Sequence, residues 1–194
     1  MSQQKIAKFI SEIFGIRVLP FILYFIVLLR SGLTPNQLML TVPATIFLLI
    51  IVPILYIFFA IRLKKAGNWD LSNRQERHGF IKTAMVSGTL VLIFIYFYGN
   101  KLLFDLNLIT ILILVVVGVI TRFWKISFHA SLITGTVILT NFLFNWSLPF
   151  LYLLIPVVLW ARFVLKHHNL NQLLAGSLVS GGIILGTLKV FGYL

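Results

Sequence analysis

The sequence contains no cysteine and very few acidic residues. Without cysteine the chain can form no disulfide, no thiolate nucleophile and no cysteine-based metal site. Only 4 Asp and Glu accompany 16 Lys and Arg, and charged residues make up 10% of the chain, whereas a soluble domain has about 25%. This scarcity of carboxylates argues against a two-metal hydrolytic centre, which needs several acidic ligands.

Apolar residues dominate what is present. They make up 60% of the 194 residues, Phe alone occurs 18 times, and the mean hydropathy is +1.04. Such a composition is typical of an integral membrane protein rather than a soluble domain. The sequence has no internal repeat, no low-complexity segment and no evident domain boundary, so we expect one transmembrane helical domain over residues 1–194.

The net charge of +12 has three explanations that stay open. Anionic lipid headgroups attract a basic surface, positive-inside topology collects cations on one face, and a bound phosphate needs cations too. Nucleic acid is a poor partner for this chain, because no soluble basic domain is present to carry it. Membrane lipids are therefore the expected partners.

The hydropathy pattern predicts an all-α bundle of six or seven transmembrane helices, preceded by an amphipathic helix at the N-terminus. Residues 2–16 place apolar side chains at helical spacing, which is typical of a helix lying on the membrane surface. Residues 38–61 are uncharged and long enough to span about 30 Å of hydrocarbon, with kinks expected at Pro43 and Pro53. Further apolar runs lie at 18–29 (a short span or a re-entrant segment), 80–98, 102–121, 130–146, 148–163 and 170–192.

Three polar clusters interrupt these runs, at residues 62–82, 122–129 and 162–168. Two predicted spans separate each cluster from the next, so all three are expected on one side of the membrane. If the N-terminus lies there too, every Lys and Arg except Arg30, Lys101 and Lys189 is on that side. Ionisable groups near membrane segments are costly and usually functional.

The segment RFWKISFHA concentrates this chemistry, because it brings Arg122, Lys125, Ser127 and His129 within eight positions. Arg and Lys bind phosphate oxygens, Ser donates a hydrogen bond, and His transfers protons or attacks as a nucleophile. The combination favours metal-independent phosphate chemistry.

Three stretches resemble the motifs of the type 2 phosphatidic acid phosphatase superfamily. Ile126-Ser127-Phe128-His129 resembles its Pro-Ser-Gly-His motif. ARFVLKHHNLNQLLAG resembles the third motif, Ser-Arg-x5-His-x3-Asp-x3-Gly, with Arg162, His168 and Gly176 in register. DLSNRQERH resembles the first motif, Lys-x6-Arg-Pro, and places Arg77 on its Arg. The resemblance covers residues 60–180, the expected phosphatase-like core.

The resemblance implies a membrane-embedded lipid phosphatase that uses no metal and no cofactor. By position, His168 is the nucleophile that becomes phosphohistidine, and His129 protonates the leaving oxygen. Arg77, Ser127 and Arg162 then hold the phosphoryl oxygens. The implied substrate is a lipid phosphate or a polyprenyl (di)phosphate.

Several positions depart from the family pattern, and two of these departures change a charge. Gln172 replaces the Asp that accepts the Nδ1 proton of the nucleophilic His, as in the similar dolichyl and polyprenyl diphosphate phosphatases. A spacing of four places it one helical turn after His168, on the same face. Asp70 stands where the first motif has Lys, and we expect Lys125 and Arg74 to replace the missing charge.

Several alternatives stay open. Arg77 and Arg162 are explained equally as anchors whose charged ends snorkel to water, Lys125 as a topology charge, and Ser127 as a hydroxyl bonded to a helix carbonyl. A lipid phosphotransferase with the same intermediate, or a non-catalytic lipid-phosphate binder or transporter, fits the same residues.

The location of the site also stays open at this point. Its cations favour the cytoplasmic face of the cell membrane, whereas many bacterial members of the superfamily act on the outer face. The sequence determines neither the lipid nor the oligomeric state.

Overall fold

The computed structural model of the protein describes residues 2–15, 18–69, 71, 73 and 75–194. The regular secondary structure of these residues is helical, and no strand occurs among them. The helices are α1 (Gln3–Ile13), α2 (Leu19–Arg30), α3 (Pro35–Ile46), α4 (Val52–Arg62), α5 (Arg77–Tyr98), α6 (Lys101–Phe123), α7 (Phe128–Leu143), α8 (Leu154–Val164) and α9 (Leu170–Val190). A π-helical segment, Phe47–Ile51, joins α3 to α4, and a 3-10 turn, Pro149–Leu153, precedes α8.

Each apolar run predicted from the sequence forms a helix, but the predicted number of membrane spans is not confirmed. Among the described residues, 4 helices are long and apolar enough to cross a membrane, namely Pro35–Arg62, α5, α6 and α9. The other apolar helices, α2, α7 and Pro149–Val164, have only 10–17 residues. A perpendicular span needs about 20, so length and composition alone support the smaller number.

The contacts of the chain divide it into two compact units. The first unit comprises residues 1–26 and 125–194, and the second comprises residues 27–124. Each unit is described separately below. The expectation of one domain over residues 1–194 stays a prediction.

The first complete helix of the second unit is the long helix Pro35–Arg62. Thr34 and Gln37 form a capping box at its start. Pro35 lies in the first turn, where a backbone N–H has no partner within the helix, so its lack of an N–H costs no hydrogen bond. The sequence predicts kinks at Pro43 and Pro53, because proline cannot bond to the carbonyl four residues earlier. Pro43 lies inside α3, the π-helical turn Phe47–Ile51 precedes Pro53, and the helix continues through both.

Helices α3, α4 and α6 of the second unit all pack against α5. The buried face of α5 carries Phe80, Ile81, Val91 and Ile95 at helical spacing. Asn100 begins α6 by accepting a hydrogen bond from the backbone N–H of Leu103, as a side-chain cap does.

Helix α7 is the central element of the first unit and packs against both α8 and α9. Ile133 and Val137 of α7, Val158 of α8 and Leu19 form one buried hydrophobic cluster. The contact with α9 is more polar, since the hydroxyls of Ser131 and Ser180 are hydrogen-bonded in the interior. Because α7 is surrounded in this way, its N-terminus is held between other helices.

Helix α1 packs against α8 and does not lie free of the protein. Its predicted apolar face divides in two: Ile10 and Phe14 pack against the hydrophobic cluster, whereas Ile6, Phe9 and Ile13 remain exposed. The buried stripe also contains the small residues Ala7 and Ser11. The exposed apolar stripe agrees with the expected contact with lipid, but the contact with α8 was not expected.

Helix α9 lies close to the start of α7 in the first unit. A Cβ atom at Gly176 would lie 2.5 Å from the carbonyl oxygen of Ser127 and 3.1 Å from Cβ of Ala130. Only glycine allows this contact without movement of the backbone. By contrast, a Cβ atom at Gly182 on the same helix would meet nothing within 4 Å.

These two glycines make a matched test of the packing. We expect Gly176→Ala to lower the free energy of unfolding by about 1–3 kcal/mol relative to Gly182→Ala, because overpacking costs that much. Both substitutions gain the same helix propensity, so their difference isolates the steric contact. Reversible unfolding in mixed detergent micelles measures it, and equal stability of the two variants would contradict the packing described here.

Candidate functional site

Two helix N-termini meet in the first unit, those of α7 and α9. The backbone N–H of Ser127, the residue before α7, donates to the carbonyl oxygen of Gln172 at 3.2 Å. The carbonyl of the same Ser127 lies against Gly176. The segment that begins α7 therefore lies directly on the first turns of α9, which joins the second and third predicted motifs in space.

His168 and Gln172 are hydrogen-bonded, as the spacing of four residues predicts. Nδ1 of His168 lies 2.9 Å from Oε1 of Gln172, and the imidazole is only 5% exposed. The same Oε1 accepts the backbone N–H of Asn169 at 3.3 Å, while the backbone N–H of Gln172 donates to the side chain of Asn169 at 2.9 Å. Gln172 is thus both the partner of His168 and half of a capping box.

The capping box determines which imidazole nitrogen carries the proton. A backbone N–H only donates, so the Gln172 atom facing Asn169 must be the amide oxygen and not the nitrogen. That oxygen only accepts, so Nδ1 of His168 must be the protonated nitrogen. In the neutral ring Nε2 then carries the lone pair, the group that acts when an imidazole serves as a base or a nucleophile.

Ser127 and His129 are both buried at the start of α7. Ser127 is the N-cap of α7, and its hydroxyl oxygen accepts the backbone N–H of Ala130 at 3.3 Å. The predicted structural alternative was a bond to a helix carbonyl, whereas the bond observed here is to a backbone N–H. This bond uses an acceptor lone pair and does not engage the hydroxyl proton. His129, 4% exposed, follows two residues later.

Arg162 is buried at the end of α8 with only 1% of its surface exposed. Its Nη1 donates to the hydroxyl oxygen of Ser11 in α1 at 2.7 Å, and its carbonyl accepts the backbone N–H of His167 at 3.2 Å. A snorkelling side chain keeps its charged end in water, so burial argues against that alternative for Arg162. The bond to His167 places Arg162 directly beside the segment that carries His168.

The end of α1 also approaches His129. A Cβ atom at Gly15 would lie 3.5 Å from Nε2 of His129. Ser11 lies in α1 and Gly15 lies two residues beyond its end, so residues 11–15 approach both Arg162 and His129. Sequence reasoning missed this contribution; its only signal is the spacing of the small residues Ala7, Ser11 and Gly15. The capping role of Asn169 was missed too, although Asn-x-x-Gln is a readable capping signature.

The remaining predicted residues are not all placed beside this cluster. Arg77 belongs to the second unit, is 2% exposed and donates from Nε to the carbonyl of Leu71 at 2.8 Å. Its membership of the site stays a prediction. Lys125 is half-buried in the non-helical segment before α7, and its role as a phosphate ligand also stays a prediction. Arg74 and Asp70 lie outside the described residues.

The described residues include no group of three or more His, Asp and Glu side chains arranged to hold a metal ion. The first unit instead contains the buried imidazoles of His129 and His168, with Arg162 beside the segment that carries His168. This arrangement is suited to proton transfer and nucleophilic attack by imidazole.

Comparison with protein-family models, with curated proteins and with solved structures finds no match to this chain. The resemblance to the phosphatase superfamily therefore rests on the motif residues alone.

The tautomer of His168 is directly measurable. We expect Gln172→Ala to shift the neutral imidazole toward the Nε2-protonated form, because Nδ1 loses its acceptor, whereas Gln172→Glu should keep the wild-type tautomer. Nitrogen NMR of the protein labelled with ¹⁵N-histidine, with the signal assigned through a His168 variant, reports this directly.

Asn169→Ala is the control for this measurement. It removes the side-chain cap, at a cost of about 0.5–2 kcal/mol in stability, but retains the acceptor for His168. A Gln172→Ala variant with an unchanged tautomer would contradict the assignment.

Proposed function

We propose that the protein is a membrane-embedded phosphatase that hydrolyses a lipid phosphate or polyprenyl (di)phosphate through a phosphohistidine, without a metal. The observation that carries this proposal is the bond from Nδ1 of His168 to Oε1 of Gln172. It leaves Nε2 of a buried imidazole with a lone pair, which an attack on phosphorus requires.

The surroundings of His168 favour an anionic substrate. The N-termini of α7 and α9 meet at the bond between Ser127 and Gln172, and each helix N-terminus carries about half a positive charge. Arg162 adds a guanidinium that can bind two phosphate oxygens at once. Backbone N–H groups at a helix start are a recurrent phosphate-binding arrangement.

The reaction follows from these positions in two steps. In the first, Nε2 of His168 attacks phosphorus, the bond from phosphorus to the lipid oxygen breaks, and His129 donates a proton to that leaving oxygen. In the second, water attacks the phosphohistidine, His129 takes a proton from the water, and the bond from phosphorus to nitrogen breaks. In net terms, one proton of the water ends on the lipid alcohol and its hydroxyl group ends on inorganic phosphate. Both histidines return to their starting states.

The substrate tail lies in the bilayer in this proposal. The protein spans the cell membrane six or seven times, with α2, α7 and α8 serving as short or tilted spans beside the 4 longer helices. The positive-inside rule then assigns the face that carries His129 and His168 to the cytoplasm.

Alanine substitutions of the histidines test the chemistry. We expect His168→Ala to abolish release of inorganic phosphate from detergent-solubilised lipid phosphates, because the nucleophile is gone. We expect His129→Ala to lower the rate by a factor of about 10²–10⁴, which is the usual contribution of general acid-base catalysis. The substrate panel contains phosphatidic acid, phosphatidylglycerol phosphate, and polyprenyl mono- and diphosphates.

His167→Ala is the matched control, since it removes the adjacent imidazole and should retain activity. Unchanged phosphate release by His168→Ala would overturn the assignment. With a labelled substrate, label in inorganic phosphate supports hydrolysis, whereas label in an organic product identifies a phosphotransferase. Phosphate binding without turnover by the wild-type protein identifies a binder or transporter.

The absence of cysteine gives a clean test of orientation. Asn171→Cys introduces a thiol at an exposed position in the first turn of α9, and Ser147→Cys introduces one beyond the opposite end of α7. We expect an impermeant maleimide to label Ser147→Cys in intact cells, but Asn171→Cys only after permeabilisation. The reverse pattern places the site on the outer face, and labelling of both from one side would show that α7 does not cross the membrane.

A further inference from the structure

Helix α1 contacts the proposed site through one polar bond that a membrane anchor does not need. Around this helix, Ile6, Phe9 and Ile13 form an exposed apolar stripe, while Lys5 and Lys8 are exposed beside it. Those two stripes account for attachment to a lipid surface. Neither accounts for the hydroxyl of Ser11, which is buried in the stripe that packs on α8 and accepts a hydrogen bond from Arg162.

We propose that Ser11 is a positioning residue of the phosphate site, which makes α1 part of that site and not only an anchor. This inference rests on the proposed function. The guanidinium of Arg162 is planar and presents its donors in fixed directions. A bond from Nη1 to Ser11 therefore restrains the direction in which the other N–H groups point.

The geometry around Ser11 supports a role in orientation over a role in packing. Packing at this place in the stripe between α1 and α8 needs only a small side chain, such as Ala7 one turn earlier. A serine adds a neutral acceptor, which holds the guanidinium without neutralising its charge, so the charge remains available to an anion. The next turn of the same segment brings Gly15 against His129, so displacement of α1 affects both groups.

Two substitutions of Ser11 separate orientation from packing. Ser11→Cys keeps the volume of the side chain but weakens the acceptor, and Ser11→Thr keeps the hydroxyl. We expect Ser11→Cys to raise both the Kd for inorganic phosphate and the KM for lipid phosphate by about tenfold, which is the usual loss for a hydrogen bond to a charged group. The change in kcat should be smaller. In Ser11→Thr, Kd and KM should both stay within about twofold of wild type.

The measurements use the full-length protein in detergent micelles. Titration with inorganic phosphate gives Kd, hydrolysis of a short-chain phosphatidic acid gives KM and kcat, and thermal unfolding reports stability. Ser147→Ala is the control, because that serine is exposed beyond the far end of α7 and bonds only within its own turn. It should leave all of these quantities unchanged.

The outcomes distinguish failure of this inference from failure of the proposed function. If wild type hydrolyses lipid phosphates but Ser11→Cys keeps the wild-type Kd and KM, the positioning role is wrong and the function stands. The positioning role is also overturned if a lower folded fraction alone explains the weaker phosphate binding of Ser11→Cys. It is overturned as well if Ser11→Thr binds phosphate as weakly as Ser11→Cys does. If wild type binds phosphate without hydrolysis, the enzymatic proposal fails, and a raised Kd in Ser11→Cys still supports the role of Ser11. If wild type neither binds phosphate nor hydrolyses the lipids, both proposals are overturned.

Discussion

The contact of α7 with α9 at Gly176 is the constraint on which the rest of the candidate site depends. Because Gly176 has no side chain, the carbonyl of Ser127 can lie against α9 while the N–H of Ser127 bonds to the carbonyl of Gln172. Polar groups in an apolar surrounding must be hydrogen-bonded, since leaving one unpaired costs several kcal/mol. The short non-helical segment before α7 is therefore held in one position, and His129 is held with it.

The replacement of Asp by Gln at position 172 is better understood from its two bonds than from its lost charge. A carboxylate at this position could accept from both Nδ1 of His168 and the N–H of Asn169, and the amide oxygen accepts from the same two groups. The interaction with Asn169 orients the amide, and the oriented amide selects the tautomer of His168. One atom, Oε1 of Gln172, therefore takes part in the cap at the start of α9 and also selects the tautomer of His168.

The N-terminal helix α1 presents two different surfaces. Its exposed apolar and basic stripes match a lipid surface, while its buried stripe contacts the two basic groups of the proposed site. Ser11 in that buried stripe accepts a hydrogen bond from Arg162, and Gly15, just beyond the helix, lies near His129.

Local chemistry in the sequence determined the helices and the pairing of His168 with Gln172. Each follows from interactions within a few residues: apolar periodicity, proline and glycine signals, and the one-turn spacing of positions four apart. The predicted number of membrane spans is not confirmed, because α2, α7 and α8 are shorter than the about 20 residues of a perpendicular span. Only the tertiary structure brought Ser11 to Arg162, Gly15 to His129 and Ser127 to Gly176. Those contacts join residues far apart in the chain, and they depend on which helix faces pack together, a choice made by the shape and volume of the side chains and not by their spacing in the sequence.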